Sequence, residues 1–228
     1  MITPAARGRF LKDERGFTLT EVLVTIMIMI VVMSALSSMF HMSLRVFSYG
    51  NNKVEAVESA RVGLEKMERE IRQAYTYNSA SSPTYLFFDT ASPTSPLTVP
   101  PTTREDLTFG NDFGGPGAGD GVITCGSPCE FITYKLTDSA DDTVPCTVAP
   151  CTLRRVNTSS SADAGVPVVE NVAADGLTFE FLQSDGATSA TDESDIGIVL
   201  VSLTVSVDKG LANAGTQTLT TAIDLRNR

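Results

Sequence analysis

The chain has one histidine, His41, no proline between Phe17 and Asn78, and no charged side chain from Phe17 to Phe40 apart from Glu21. Each shortage closes off a class of structure or function. His41 lies at the end of an apolar run, away from the strand-rich region, so no Ser-His-Asp or Cys-His set can assemble in a soluble domain. No phosphate-cradling glycine motif is present. Carboxylates are plentiful, but no spacing selects a pair for acid–base work. Neither a catalytic residue nor a cofactor is assigned, and an enzyme is not expected. Basic residues are also scarce, 17 Lys and Arg against 27 Asp and Glu. That balance disfavours general attraction to nucleic acid, which depends on neutralising phosphates. Arg154-Arg155 reads as a solvated strand end.

The apolar run itself carries the most information. As a helix, Phe17 to Phe40 spans roughly 36 Å, enough for a bilayer core of about 30 Å. A carboxylate inside such a segment costs roughly 3 kcal/mol unless it lies near the surface or has a partner. Cutting the chain after Gly16 would create one: the α-amino group of Phe17, four residues before Glu21 and largely protonated at neutral pH. The segment Met1–Gly16 holds Arg7, Arg9, Lys12 and Arg15 against Asp13 and Glu14. This positive balance ahead of a span favours a cytoplasmic N-terminus and an exported C-terminal region. A secretory cleavage site after the span would have to use Ser34-Ala35-Leu36-Ser37, a poorer junction than Gly16–Phe17. Removing four basic and two acidic leader residues leaves 13 against 25, a net charge of −12.

Arg15-Gly16-Phe17-Thr18-Leu19-Thr20-Glu21, followed by about twenty apolar residues, resembles the class III signal of type IV prepilins and type II secretion pseudopilins. The resemblance implies that a membrane-embedded prepilin peptidase cuts Gly16–Phe17 on the cytoplasmic side and N-methylates Phe17. It implies assembly roles for Glu21 and Thr18. The implied partners are other pilin or pseudopilin subunits, inner-membrane lipid before assembly, and an inner-membrane assembly platform. The implied location is the inner membrane, single-pass, and then a pilus or pseudopilus. Ala60 to Ala74 is similar to the helix of PilW-type minor pilins and J-type minor pseudopilins, with looser matches at Ile132-Thr133-Tyr134, Leu153-Arg154-Arg155 and Leu177-Thr178-Phe179. Relatives often carry a helix-softening Gly or Pro in the first half of this helix, and Ile30–Ser38 has neither.

The organisation expected is a leader, 1–16; a membrane or filament-core helix, 17–40; its amphipathic continuation, 41–80; and an extracytoplasmic β-rich domain, 81–228. In the continuation, Val54, Val57, Ala60, Leu64, Met67, Ile71 and Ala74 recur every three or four residues and predict one buried stripe. The intervening charges, Glu70 among them, read as a solvated face, with Glu65–Arg69 and Glu68–Arg72 as favourable pairs. Gly50 offers a bend, Gly63 weakens the helix, and the helix should end around 75–82. Residues 89–121 read as a long surface excursion. Strands are expected over 131–136, 152–156, 166–172, 177–182, 196–207 and 219–225. The strand at 196–207 should be covered on both faces at first and on one later. A helix followed by strands without further helices indicates an α+β, pilin-like fold with an antiparallel sheet.

Four cysteines in an exported region read as two disulfides. Of three connectivities, the local pairs Cys125–Cys129 and Cys146–Cys151 are the expectation, with a four-thiolate zinc site as the competing reading. Asp106, Asp112 and Asp120, and separately Asp185, Asp192, Glu193 and Asp195, supply oxygen donors in loops. Neither set follows a calcium-loop pattern, and both read as acidic surface, so no metal is assigned. Tyr75, Tyr77 and Tyr85 read as ordinary helix–sheet packing. A membrane-tethered module binding a surface ligand or DNA is the remaining alternative, and the acidic composition disfavours the basic patch it would need.

Overall fold

The computed structural model describes residues 16–75, 86–89, 92–97, 103–112, 119, 123, 130–142, 144–157, 165–207 and 215–225. One helix, α1 (Leu19–Arg72), is followed by β1 (Phe87–Asp89), β2 (Ser92–Pro96), β3 (Thr103–Arg104), β4 (Leu107–Gly110), β5 (Phe131–Asp138), β6 (Cys151–Val156), β7 (Val166–Leu182), β8 (Ile198–Ser206) and β9 (Thr216–Asp224). The described residues fall into two compact units, divided between Ser48 and Tyr49. The fold is α+β: the second unit packs the C-terminal part of α1 on a sheet whose pairings are all antiparallel.

Strands run in the order β2-β1-β4-β5-β6-β7-β8-β9, and β3 pairs with the far end of β7. The helix-facing side holds the main core, including Phe109, Tyr134, Leu153, Phe179, Phe181 and the Val199–Val205 row, against Ala60, Leu64, Met67 and Ile71 of α1. Successive side chains alternate between the faces of a strand. Phe87 therefore joins the main core, while Phe88 packs with Phe131 and Ile123 in a smaller cluster, its ring 5.0 Å from Phe131.

Several expectations are corrected. The helix ends at Arg72, short of the expected 75–82. It tightens through Gln73 and Ala74, whose N–H groups reach back three residues, and Tyr75 N–H donates to Gly110 of β4. The sheet thus captures the chain before local sequence signals would end the helix. Val54 is 62 % exposed and outside the stripe, and Ala56 packs against the core in its place. The excursion over 89–121 contains β4, fully buried between β1 and β5. Its four residues are too few to show an alternation. The strands expected over 166–172 and 177–182 are one strand, β7, with a register break between Val172 and Leu177. Ile196, just ahead of β8, is buried as expected, whereas Ile198 and Leu200 are only half-buried, like the polar residues that follow them on the outer face of β8. Glu68–Arg72 forms as expected, whereas Glu65 pairs with Arg61.

Gly63 has a packing reason that outweighs its helix propensity. It is buried, and a Cβ there would overlap the Val169 side chain of β7. Gly63→Ala should therefore lower stability: overpacking costs about 1–3 kcal/mol, partly offset by about 1 kcal/mol of helix propensity. Gly50→Ala, at a position with nothing within 4 Å of the added carbon, should stabilise. Thermal unfolding of both detergent-solubilised variants checks the opposite signs.

Candidate functional site

The N-terminal junction combines an open peptide with a capped helix start. Gly16, Phe17 and Thr18 precede the first helical residue, and Phe17 is 81 % exposed. Thr18 serves as the N-cap. Its carbonyl accepts from Glu21 N–H at 3.0 Å and Val22 N–H at 3.2 Å, and its hydroxyl accepts from Glu21 N–H at 3.3 Å. Thr18-Leu19-Thr20-Glu21 has the capping-box sequence, and a carboxylate in the first helical turn is favoured by the exposed N–H groups there. The Gly16–Phe17 bond thus lies just outside the hydrogen-bonded helix. Residues 1–15 lie outside the described residues.

Downstream of the junction, α1 is long and apolar enough to cross a membrane, and its most apolar window is entirely unburied. Two of its hydroxyls bond internally: Thr25 donates to Val22 O and Ser34 to Ile30 O, each at 2.8 Å. A lipid or helix-bundle environment would meet these two donors already satisfied. His41 is exposed on this helix, edge-on to Phe40.

The second unit carries the expected Cys146–Cys151 disulfide, which closes the β5–β6 connection. Cys125 and Cys129 lie outside the described residues. The acidic loops do other work. Asp106 pairs with Arg104 at 3.4 Å, and Asp112 accepts Gly119 N–H at 2.9 Å. Asp185 accepts the Thr188 hydroxyl and the Ala187 and Thr188 amides, which hold its pKa down at about 2. Asp195 accepts the Thr191 hydroxyl. Among the described residues no three His, Cys, Asp or Glu side chains form a metal-holding group. Asp120, Tyr77 and Tyr85 are outside the described residues. Tyr75 is partly exposed.

Sequence reasoning missed two carboxylates that hold the domain together. Glu70 faces the sheet: Oε2 accepts from Tyr134 Oη at 2.9 Å and from Arg155 Nε at 2.8 Å. Burial, then the Glu70 charge and hydrogen bond, push the Tyr134 pKa up, so it stays a donor. Arg155 is therefore not a solvated strand end. Arg154, on the opposite face, donates to Gly165 O at 3.2 Å. Glu193 accepts the N–H groups of both Leu86 and Phe87, tying the β7–β8 connection to the start of β1.

Burial raises the Glu193 pKa above 4.5, against the lowering effect of the two amides. The folded state thus binds this proton more tightly than the unfolded chain. Its contribution is full below the unfolded value and is lost as pH rises through the folded one. Glu193→Gln keeps an acceptor for both amides, so it should match or exceed wild-type stability at neutral pH and flatten the pH dependence above about 4.5. Glu193→Ala strands both donors and should cost about 1–3 kcal/mol. Thermal unfolding from pH 4 to 7 separates the two.

Residues 11–37 match the family model of the prokaryotic N-terminal methylation motif, which takes in Gly16, Phe17, Thr18 and Glu21. No curated protein and no solved structure matches the chain. The chain therefore carries the class III signal of type IV pilins, and this motif supports its assignment as a precursor of the type IV pilin-like or pseudopilin kind.

Proposed function

We propose that the protein is a minor type IV pilin-like subunit, anchored in the inner membrane as a prepilin and assembled into a pilus at or near its tip. The observation that carries this reading is the junction itself. A Gly16–Phe17 bond outside the helix is followed by Glu21 in the first helical turn and by an unburied apolar helix. In this reading prepilin peptidase removes the leader and N-methylates Phe17. The apolar part of α1 then exchanges lipid for a bundle of like helices, and Glu21 neutralises the Phe17 amine of a neighbouring subunit. The Cys146–Cys151 disulfide supports an oxidising, extracytoplasmic setting for the β domain. The similarity of Ala60–Ala74 to PilW-type minor pilins supports the choice of a minor subunit. The same segment resembles J-type minor pseudopilins, which would build a short periplasmic pseudopilus by the same anchoring chemistry.

Mass spectrometry of the N-terminus in material from a peptidase-positive host tests the processing step. The expected mature chain begins with N-methyl-Phe17 and lacks Met1–Gly16. An intact leader on assembled protein would overturn the reading. Recovery with sheared surface filaments, rather than only with a secretion apparatus, supports the pilus over the pseudopilus.

A further inference from the structure

Resting on that assembly reading, we propose that the outer edge of β9 receives an extended strand from a different subunit carrying the same kind of anchoring helix. Among the described strands, β2, β3 and β9 each have a single neighbour; β3 is two residues long and ends in Arg104, and the other two edges are of unlike design. β2 contains Pro93 and Pro96, which cannot donate, and the β1–β2 register breaks between Phe88 and Asp89. Proline, short length and register breaks are the usual means of blunting an edge. β9 has none of them. It pairs with β8 in unbroken register from Thr216 to Asp224, carries no proline, and has no charged side chain before Asp224.

The hydrogen-bond phase shows what β9 offers. Val207 N–H donates to Gly215 O at 2.8 Å and Leu225 N–H to Gly197 O at 3.1 Å, at either end of the β8–β9 ladder. In an antiparallel pair, bonded positions alternate. Gln217, Leu219, Thr221 and Ile223 therefore bond to β8, while the N–H and C=O groups of Thr216, Thr218, Thr220, Ala222 and Asp224 point away from it. The same five residues are exposed. No described strand pairs with this edge.

The neighbouring helix decides which partner fits. A Cβ on Gly215 would lie 2.6 Å from the Tyr49 hydroxyl, and the Thr221 hydroxyl is 3.5 Å from Glu68 Oε2. β9 thus runs in the same sense as the Tyr49–Arg72 part of α1. Two copies joined β9 to β9 in antiparallel fashion are related by a twofold axis normal to the sheet, which reverses one helix against the other. In the assembly reading the Tyr49–Arg72 helices of neighbouring subunits run parallel, so this pairing is unsuitable. Joining β9 to β2 of another copy meets Pro93 and Pro96. The remaining occupant is a strand of a different chain, free of proline and compatible with a threonine-rich, uncharged neighbour.

Residue-level hydrogen exchange on the purified full-length protein in detergent is the first test. Thr216, Thr218, Thr220 and Ala222 amides should exchange fast, and those of Leu219, Thr221 and Ile223 slowly. Protection of the first set in the isolated chain would mean that its own residues cover the edge, overturning the proposal. Ala222→Pro removes an outward donor and leaves the β8 ladder intact, while Ala222→Lys places a charge on the edge. Both variants should keep the wild-type unfolding temperature, yet fall about tenfold in sheared filaments, the scale of one or two backbone hydrogen bonds. Wild-type recovery of Ala222→Lys, or of a stably folded Ala222→Pro, overturns the edge proposal and leaves the assembly reading standing. Absence of the wild-type chain from filaments overturns both. Co-recovery of untagged with tagged copies that is lost in the Ala222 variants would identify a second copy as occupant and overturn the different-chain assignment.

Discussion

Glu21→Leu protein should be cleaved after Gly16 and held in the membrane at wild-type levels, yet be almost absent from sheared filaments. The two halves of this result have opposite physical origins. Removing the carboxylate makes an already sufficient span more apolar, so anchoring is unchanged or improved. The cap loses little: the Thr18 hydroxyl and carbonyl bond to the backbone N–H of residue 21, which leucine retains. The lost carboxylate–dipole term is only about 0.3–1 kcal/mol. In an assembled bundle the balance reverses. The Phe17 amine of a neighbour would be left without its counter-charge among apolar helices, and breaking a buried pair this way costs about 3–5 kcal/mol. Even the lower figure corresponds to a fall of roughly a hundredfold in incorporation. Quantitative immunoblotting of membrane and sheared fractions decides the matter, with N-terminal mass spectrometry confirming cleavage. Wild-type levels of Glu21→Leu protein in filaments would sink the pairing role while leaving the anchor intact.

The junction was readable because its parts are covalent neighbours: the cap, the bond before it and the carboxylate lie within a few residues of one another. The β8 strand was readable for a similar reason, since Val199, Val201, Leu203 and Val205 alternate over its whole length and are all fully buried. The long helix and the antiparallel sheet followed from the same local patterns. What escaped depends on distant chain. Glu70 sits in a run of alternating acids and bases, and nothing local distinguishes it from Glu65 or Glu68. Its separation from Arg155 by 85 residues hides their pairing. Leu107–Gly110 and Phe87–Asp89 are too short for periodicity, although two adjacent phenylalanines are a signal that both faces of β1 are covered. Gly63 looked like a helix weakness because Val169, the side chain that requires its small size, lies across the domain.

The largest effect on the domain's own stability should come from Glu70. Its carboxylate is the shared acceptor through which α1 holds β5 and β6, by way of Tyr134 and Arg155. Truncation to alanine removes both bonds at once. It leaves a guanidinium whose side chain is only 22 % exposed and a fully buried tyrosine hydroxyl without this acceptor. Breaking one partner of a buried pair typically costs about 3–5 kcal/mol, and the partial exposure here reduces the expectation to about 2–4 kcal/mol. Glu70→Gln should be milder, because the amide oxygen still accepts from one donor while the charge attraction is lost. Adding Arg155→Met to Glu70→Ala should recover part of the loss by removing the stranded cation, a coupling that a purely additive pair of packing defects would not show. Urea unfolding of the four variants completes the cycle. Independent, additive losses would reduce the contact to ordinary packing. A positive coupling of about 1 kcal/mol or more would identify Glu70 as the charged joint between helix and sheet.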